Sequence, residues 1–404
     1  MKLMFKRIEI KNFKSLKNVN IWLKPLTIFI GPNGAGKSSV IQVIALLKKF
    51  FLHEGSISLE NLFNLEDYIN MGSWRDVVFE ERKPIEASID LEKDGVYYNY
   101  SVQIHKNAEV KLSFNLTGRV RGNDSLIFKI PYYEKDKQEK TVTFSIANQR
   151  AYMIWNGFKM KPRPQFREIP KDVAEVFNNW WRSMYILPLH VSIFKEPYTY
   201  VSTDDTSYLL SEIKRKIIVP YNLLISLIVS DPNIEDHVTY VFNTIFNRHV
   251  RGHVYPGNKA SIIVRSIVGK TVNIINEGGG INRLAFLAGA IGMAEKDSLL
   301  LIEEPETNLH PSAQYKLAKM FINAVNEGKN FIITTHSEHF LFGILNSIAR
   351  REISSNLLNI YYFSKSRGET KVRLLNIDEK GRVKGGLPGF FEEEIEELLS
   401  LISR

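Results

Sequence analysis

The most constraining feature of this sequence is a glycine-rich loop at residues 31–38, with the spacing Gly-x-x-x-x-Gly-Lys-Ser. An apolar run at 26–30 precedes the loop, and a segment at 39–50 with apolar residues at helical spacing follows it. Glycines let successive backbone N–H groups turn inward, and a helix N-terminus adds partial positive charge. This order predicts a phosphate-binding loop rather than a simple glycine-rich turn.

The loop predicts ATP and Mg²⁺ as bound ligands. Lys37 is expected to reach the β- and γ-phosphates, and the Ser38 hydroxyl is expected to ligate Mg²⁺. The helix after the loop has a basic end at Lys48 and Lys49, which suits a helix C-terminus. The other residues predicted to bind the nucleotide are Lys14, Asn33, Gly34, Ala35, Gly36 and Ser39.

A second apolar run, at 299–302, is followed directly by Glu303 and Glu304. An acid at the end of a buried strand lies beside Mg²⁺, so Glu303 is predicted to be the metal-side carboxylate, acting through water. Glu304 points to the other side of the strand end, where it can act as a general base on the attacking water. The structural alternative is a surface pair of glutamates at a strand end.

His336 follows a third apolar run, at 331–333, and is placed to touch the γ-phosphate or the attacking water. A lone histidine is more often structural, but its position after a core strand favours the functional interpretation. The glycine cluster at 277–283 opens a predicted helix and offers a second anion site. Because one ATP already has its loop, this second site suggests a subunit interface; a flexible loop is the alternative.

The chain carries the phosphate loop, the glycine cluster, the acid pair and His336 in that order. These elements in this order resemble the ABC-type ATPases of the SMC, Rad50 and RecF kind. The patterns at 8–15 and 31–39 carry that resemblance, and the run at 302–311 is similar to OLD-like and related AAA ATPases. Residues 389–392 resemble a short ending found in one branch of those proteins. The resemblance covers roughly residues 1–85 and 255–365, whereas about 168–250, predicted to be largely helical, carries no such motif.

The resemblance implies an α/β P-loop NTPase fold, an ABC-ATPase-like head with an antiparallel β subdomain and a helical insertion. It also implies two subunits that close around two ATP molecules, with His336 as the switch histidine. The residues expected to contact the partner's ATP are Gly278, Gly279, Gly280 and Arg283 of the signature-like cluster and Asn308 and His310 of the D-loop. The family's signature serine is missing here, with Glu277 or Gly278 in its place, and residues 73–76 occupy the region of the missing Q-loop glutamine.

Three segments are predicted along the chain. Residues 1–165 form an N-terminal ATPase lobe with the β subdomain, 166–255 a helical lobe, and 256–404 a C-terminal ATPase lobe. Within the β subdomain, runs at 85–91 and 96–104 flank Asp94-Gly95 and predict a hairpin. Further turn signals are a charge run at 134–140, a hairpin signal at 155–158 and a proline-rich boundary at 161–164.

Composition narrows the classes of function. The net charge of +9 is compatible with a polyanionic partner or with a generally basic surface. The absence of cysteine excludes disulfides, thiolate metal sites and cysteine nucleophiles, and favours a cytoplasmic protein. No apolar run has the length of a membrane span. The OLD-type nucleases that the chain resembles carry a C-terminal Toprim nuclease domain, and the stretch after residue 363 is too short for one, so we expect no built-in nuclease of that type.

The leading hypothesis is an ATP-hydrolysing switch that dimerises on ATP and acts on DNA in repair, chromosome maintenance or anti-phage defence. A separately encoded nuclease or another protein is the expected partner. The alternative is an ATP-dependent regulator of another protein without direct DNA binding. A basic stretch at 248–259 is either a phosphate-contact patch or a solvated loop, and the loop is the favoured interpretation. A metal site at His249 and His253 is disfavoured, because no third ligand lies near them in the sequence.

Overall fold

The structure is a computed structural model that describes residues 4–52, 61–65, 69–107, 110–120, 124–134, 140–146, 149–155, 160–162, 180–187, 198–201, 206–265 and 269–387. Its contacts divide the chain into two units, each assembled from separate stretches of sequence. Unit 1 contains Met1–Lys24, Ser38–Met184 and Lys365–Lys371, and unit 2 contains Pro25–Lys37, Tyr185–Ser364 and Val372–Arg404. The three predicted segments are continuous stretches, and that division stays a prediction.

Unit 1 is built on a nine-stranded antiparallel sheet with the order β10-β9-β8-β7-β6-β5-β4-β1-β2. The strands are β1 (Met4–Phe13), β2 (Leu16–Trp22), β4 (Ile85–Lys93), β5 (Val96–Ile104), β6 (Val110–Val120), β7 (Asp124–Glu134), β8 (Lys140–Ile146), β9 (Gln149–Trp155) and β10 (Met160–Pro162). The helices are α1 (Lys37–Leu52), whose first residue belongs to unit 2, and α2 (Trp74–Val77). The antiparallel β subdomain predicted from the sequence is therefore present.

The β4–β5 hairpin forms as predicted. Asp94 and Gly95 both have positive φ angles, 54° and 77°, which is the backbone of the two-residue turn that matches strand twist. The turn between β1 and β2 is short, because β1 continues to Phe13 and β2 begins at Leu16. The tip of the charge run (135–139), residues 156–159, residues 163–164 and residues 389–392 lie outside the described residues.

Unit 2 contains a six-stranded sheet with the order β11-β16-β17-β3-β18-β19. The strands are β3 (Leu26–Ile30), β11 (Met184–Leu187), β16 (Leu299–Glu303), β17 (Asn330–Thr334), β18 (Leu358–Ser366) and β19 (Glu369–Leu375). The first residue of β11, the end of β18 from Lys365 and the start of β19 up to Lys371 belong to unit 1. The central strands β16, β17, β3 and β18 are parallel. Every residue of β3, β16 and β17 is buried, as expected for strands covered on both faces.

The remaining elements of unit 2 are helices and a small antiparallel sheet in which β14 pairs with β12, β13 and β15. The helices are α3 (Thr206–Lys214), α4 (Tyr221–Ser230), α5 (Pro232–Phe246), α6 (Gly279–Met293), α7 (Pro311–Asn326) and α8 (Glu338–Ala349). The small sheet consists of β12 (Tyr198–Thr199), β13 (His249–Tyr255), β14 (Lys259–Arg265) and β15 (Thr271–Asn273). In the part of the chain described, no helix is long and apolar enough to cross a membrane.

The described residues of the stretch at about 168–250 are largely helical, as predicted, and also include the short strands β11 and β12. One sequence expectation for this region needs correction. The basic stretch at 248–259, for which the sequence favours a solvated loop, is mostly the strand β13, which pairs with β14 and buries Val250. Periodicity over a few residues does not distinguish a short, half-exposed strand from a polar loop.

Candidate functional site

The predicted phosphate-binding loop lies between β3 and α1. Gly31, Gly34 and Gly36 have φ angles of 136°, 73° and 102°, in the region that favours glycine. A side chain at Gly31 would overlap the main-chain carbonyl oxygen of Phe363, on the neighbouring strand β18. Asn33 and Gly34 are exposed at the tip of the loop, Ala35 is buried, and Ser38 and Ser39 lie in the first turn of α1. The loop therefore has the strained, open backbone expected of an anion site.

The Lys37 side chain folds back onto its own loop. Its ammonium donates to the carbonyl oxygens of Gly31 at 2.8 Å and Pro32 at 3.0 Å, and the residue is only 5% exposed. Burial lowers the pKa of Lys37 to about 8, although the carboxylates of Glu304 and Glu306 oppose that shift. A phosphate bound beside Lys37 would favour its charged form again.

The two predicted acids end β16 in different surroundings. Glu303 is 4% exposed and pairs in parallel register with Thr334 of β17. Glu304 has a φ of 43°, and its side chain is 29% exposed. The left-handed backbone at Glu304 turns the chain sharply, and the Thr307 hydroxyl donates to the Glu304 carbonyl at 2.9 Å. One acid is therefore buried at the strand end, and the other is partly exposed.

His336 follows β17, next to β16 in the sheet, and lies beside Glu304. Its Nε2 atom is 3.6 Å from Oε1 of Glu304. Burial lowers the pKa of His336, Lys37 lowers it further, and Glu304 opposes the shift. The imidazole is therefore held neutral at pH 7, so that one ring nitrogen can accept a hydrogen bond.

Glu306 belongs to the same cluster, although the sequence analysis assigned it no role. It is 6% exposed, and its Oε1 atom accepts from the Thr335 hydroxyl at 2.6 Å and from the His336 backbone N–H at 3.1 Å. Burial raises the pKa of Glu306. The only sequence signal is a third acid two residues after Glu304, within the run at 302–311 that carries the OLD-like resemblance.

The signature-like glycines and the D-loop form one groove. Gly278, Gly279, Gly280 and Ile281 line it from the start of α6, and Asn308, Leu309 and His310 line it from the D-loop, with Phe246 beside them. The groove has a volume of about 470 Å³. A side chain at Gly280 would overlap the Asn308 carbonyl oxygen, so these two backbones require the close approach that glycine permits.

Side chains around the groove fix its shape. The buried Asn282 amide donates to the carbonyl oxygens of Ile274, at 2.9 Å, and Glu277, at 3.1 Å. The Glu277 carboxylate pairs with Arg248 at 2.9 Å, so its charge has a cationic partner within unit 2. Arg283 is 7% exposed and donates to the Glu303 carbonyl oxygen of its own chain. Its predicted contact with a partner's ATP stays a prediction.

The remaining predictions concern Lys14 and residues 73–76. Lys14 lies in the β1–β2 turn with a φ of 48°, and its ammonium donates to Gln42 of α1 at 2.7 Å. Its predicted contact with ATP stays a prediction. Residues 73–76 form the start of α2, where the Asp76 carboxylate accepts from the Ser73 backbone N–H at 2.7 Å.

Comparison with known families accounts for most of the chain. The family described as "AAA ATPase domain" matches residues 1–180 and 98–341, which together span 1–341. The chain belongs to this AAA ATPase family. A family described as a protein of unknown function (DUF3696) matches residues 353–401 of this AAA ATPase, a segment that includes 389–392.

An OLD nuclease of Thermus scotoductus is 38% identical to this AAA ATPase over 72 residues. That match covers 18% of the chain and 13% of the nuclease. The chain thus aligns with only a small part of this relative, in agreement with the OLD-like resemblance seen in the D-loop run.

Solved structures of SMC heads share the fold. An SMC head bound to the C-winged helix domain of ScpA superposes with a TM-score of 0.53 at 16% identity, covering 93% of this chain and 98% of that one. An SMC head from Pyrococcus furiosus, with an extended coiled coil and bound to the C-terminal domain of ScpA, gives 0.52 at 13% identity, with 100% of both chains covered. The predicted fold class, an α/β P-loop NTPase with an ABC-ATPase-like head, is confirmed.

Proposed function

We propose that this AAA ATPase hydrolyses ATP and uses it as a switch that closes two subunits. The observation that carries the proposal is the convergence of Lys37, Glu304 and His336 at the ends of neighbouring parallel strands. Glu304 and His336 lie 3.6 Å apart, and the Glu304 charge acts on Lys37. A phosphate-binding lysine, a displayed carboxylate and a neutral imidazole are the groups that phosphoryl transfer to water requires.

The residues of the site fit ATP with Mg²⁺. The positive φ angles of the loop glycines leave backbone N–H groups available to phosphate oxygens. Mg²⁺ takes one or two protein ligands and completes its shell with phosphate and water, so one hydroxyl and one carboxylate suffice. Ser38 and Glu303 would hold the metal, which when bound neutralises charge on the phosphates. Lys37 would hold the phosphates, with Lys14, Asn33, Gly34, Ala35, Gly36 and Ser39.

Three residues near the phosphate loop have the remaining roles in hydrolysis. Glu304 accepts a proton from the attacking water, and the neutral His336 orients that water or the γ-phosphate. Glu306 holds the His336 backbone in place through its carboxylate. The left-handed backbone at Glu304 supports this arrangement, since strained residues of this kind persist where the surroundings over-determine them.

We further propose that the groove of Gly278–Gly280, Asn308 and His310 receives the ATP held by a second copy of the chain. Its support is the packing of Gly280 against Asn308, which joins the two predicted partner-contacting segments in one concave surface. The N-terminus of α6, a helix of 15 residues, adds partial positive charge there. Two subunits related by a two-fold axis would thus build two composite sites.

The target of the switch is proposed to be DNA, in repair, chromosome maintenance or anti-phage defence, with a separately encoded nuclease or other protein as partner. The net charge of +9 supports a polyanion, and the partial likeness to an OLD nuclease is compatible with it. The alternative is an ATP-dependent regulator of another protein. Salt-sensitive DNA binding that strengthens with ATP supports the first proposal, and its absence at low salt supports the second.

Substitution of Glu304 by Gln tests the mechanism. E304Q removes the general base but keeps the side-chain volume, so we expect ATP binding to persist and hydrolysis to fall by about 100-fold or more. The trapped ATP should hold the subunits together, so light scattering with ATP and Mg²⁺ should report the mass of a dimer.

The matched control is E379Q, which changes an exposed acid that follows β19 in the chain. It should hydrolyse ATP at the unsubstituted rate. If E304Q binds ATP and stays monomeric, the composite-site proposal is wrong. If E304Q hydrolyses ATP normally, Glu304 is not the base.

A further inference from the structure

One exposed face of the small sheet in unit 2 carries a set of cationic and imidazole side chains that the nucleotide site does not use. We define this basic face by His249, Arg251 and His253 of β13 and Lys259 and Arg265 of β14. All five residues are exposed. In the antiparallel register, His249 lies opposite Arg265, and Arg251 lies opposite Ile263.

The opposite face of the same strands explains why these residues point outward. Val250 of β13 is 2% exposed, and Ala260, Ile262 and Val264 of β14 are each at most 1% exposed. A side chain at Gly252 would come within 2.8 Å of Val229 on α4, so β13 lies directly on that helix. Because successive strand residues alternate between faces, the basic residues are held away from the core on a rigid support.

The arginines of this face have the spacing and freedom needed to contact phosphates. Arg251 and Arg265 are diagonal neighbours, so their Cβ atoms lie about 7–8 Å apart. The three strands β13, β14 and β15 contain no aspartate or glutamate. Within the described ranges, neither arginine makes an ion pair, whereas the adjacent Arg248 is paired with Glu277.

A cleft of about 760 Å³ adjoins the basic face and brings polar groups and two acids close to the arginines. Thr239 and Thr271 line it, and so do Glu235 and Asp236 of α5. Glu235 accepts from the Gly252 backbone N–H at 2.6 Å, so its charge is engaged by the sheet itself. Asp236 is exposed and offsets part of the positive charge.

We propose that the basic face binds the sugar-phosphate backbone of double-stranded DNA, which rests on the proposed DNA-directed function. Protein interfaces use apolar and aromatic anchors with few charges at their centre. On this face the exposed groups are arginine, lysine, histidine and threonine, which are typical phosphate contacts. Such contacts carry little sequence information, so the binding is expected to be indifferent to base sequence.

The experiment compares R251Q/R265Q with the unsubstituted chain, both with ATP and Mg²⁺, on a short fluorescent mixed-sequence duplex. Each lost phosphate contact removes about one counterion from the salt dependence, so the slope of log K against log[salt] should fall in magnitude by about two. At about 0.1 M salt the affinity should fall by about 10- to 100-fold. ATP hydrolysis without DNA should not change, because neither arginine lies in the nucleotide site.

Three further variants make the result specific. R215Q/R350Q removes two exposed arginines of unit 2 outside the basic face and should leave the slope unchanged. R251K/R265K keeps both charges and should retain most of the slope. D236N removes the exposed acid of the cleft and should tighten binding by about 2- to 5-fold.

The possible outcomes distinguish a wrong assignment of the surface from a wrong DNA-directed function. If the unsubstituted chain binds DNA and R251Q/R265Q binds with the same slope, this face is not the DNA surface, although the DNA-directed function stands. If R215Q/R350Q weakens binding equally, the effect is one of net charge, and the assignment to this face is wrong. If the unsubstituted chain binds no DNA at low salt, the proposed DNA function and this surface are both overturned.

Discussion

At the scale of single residues, Glu306 is unusual for a carboxylate because it is buried within the site. Its carboxylate is almost fully buried, yet it accepts from both the side chain of Thr335 and the backbone of His336. Glu304 adds a like charge nearby, which raises the pKa of Glu306 together with burial. One buried acid thus joins the segment after β16 to the segment after β17, and we infer that it positions His336.

A comparison of E306Q with E306A tests this role. The amide oxygen of E306Q can accept the same two hydrogen bonds without a buried charge, whereas E306A leaves both donors unsatisfied and should cost about 2–4 kcal/mol. Because the pKa of Glu306 is raised on folding, its stabilising contribution is fully present below the ordinary value of 4.5 and is lost as pH rises through the folded pKa. The melting temperature of E306Q relative to the unsubstituted chain should therefore increase as pH rises above about 4.5.

Thermal unfolding measured across the pH range gives the stability result, and the rate of ATP hydrolysis gives the positioning result. E306A should lose more activity than E306Q, since only the latter keeps His336 in place. A difference in melting temperature that does not vary with pH would mean that Glu306 is not a buried, titrating acid.

At the scale of elements, α1 shows how a helix end departs from its sequence pattern. Lys48 and Lys49 lie near the C-terminus of α1, where the sequence places its basic end, but they are only 1% and 3% exposed. The Lys48 ammonium donates to the carbonyl oxygen of Met184 at 2.7 Å, 136 residues away in the chain. Burial lowers the pKa of Lys48 to about 7. The helix that follows the phosphate loop thus carries a buried, titrating cation.

The variant K48M keeps the aliphatic packing of that position and removes its charge. Because the pKa of Lys48 is lowered on folding, the stability it contributes is fully present above its ordinary pKa of 10.5 and is lost as pH falls from there through about 7. The melting temperature of K48M should therefore rise relative to the unsubstituted chain as pH falls from 9 to 6. The control K83M, which changes a lysine whose side chain is 63% exposed, should run parallel to the unsubstituted chain. A parallel curve for K48M would show that Lys48 does not titrate in this range.

At the scale of the whole molecule, each copy of the chain carries two halves of the proposed composite site. One half is the phosphate loop with Lys37, and the other is the groove of Gly278–Gly280 with the D-loop. The likeness to SMC heads concerns the fold alone, and the pairing of the halves rests on the groove geometry. The proposal predicts that the two halves of one working site come from different subunits.

Mixing two inactive variants distinguishes these cases. K37A lacks the lysine of the phosphate loop, and G280A adds a Cβ atom that overlaps the Asn308 carbonyl oxygen and so distorts the groove. In an equal mixture, half of the dimers are mixed, and each mixed dimer has one intact composite site, so ATP hydrolysis should recover to about a quarter of the unsubstituted rate. Each variant alone is the control and should stay inactive. No recovery in a mixture that demonstrably exchanges subunits would show that the site is not shared.

The sequence by itself determined the local elements of this protein: the phosphate loop between β3 and α1, the β4–β5 hairpin, and the apolar strands that end at Glu303 and Thr334. Each depends on a few residues at short spacing, where backbone preference and periodicity act directly. The family resemblance extended this to the fold class, which the comparisons confirm.

Only the tertiary structure decided which of these elements meet. Strand order places β17 (Asn330–Thr334) beside β3 (Leu26–Ile30) and β16 (Leu299–Glu303) beside β17, although β3 is far from both in the chain. This order brings Glu304, His336 and Lys37 together. The burial of Glu306 and Lys48, the packing of Gly280 on Asn308 and the outward face of β13 likewise depend on partners distant in sequence. Short-range patterns carry no information about such partners, because the contacts arise from the packing of whole elements.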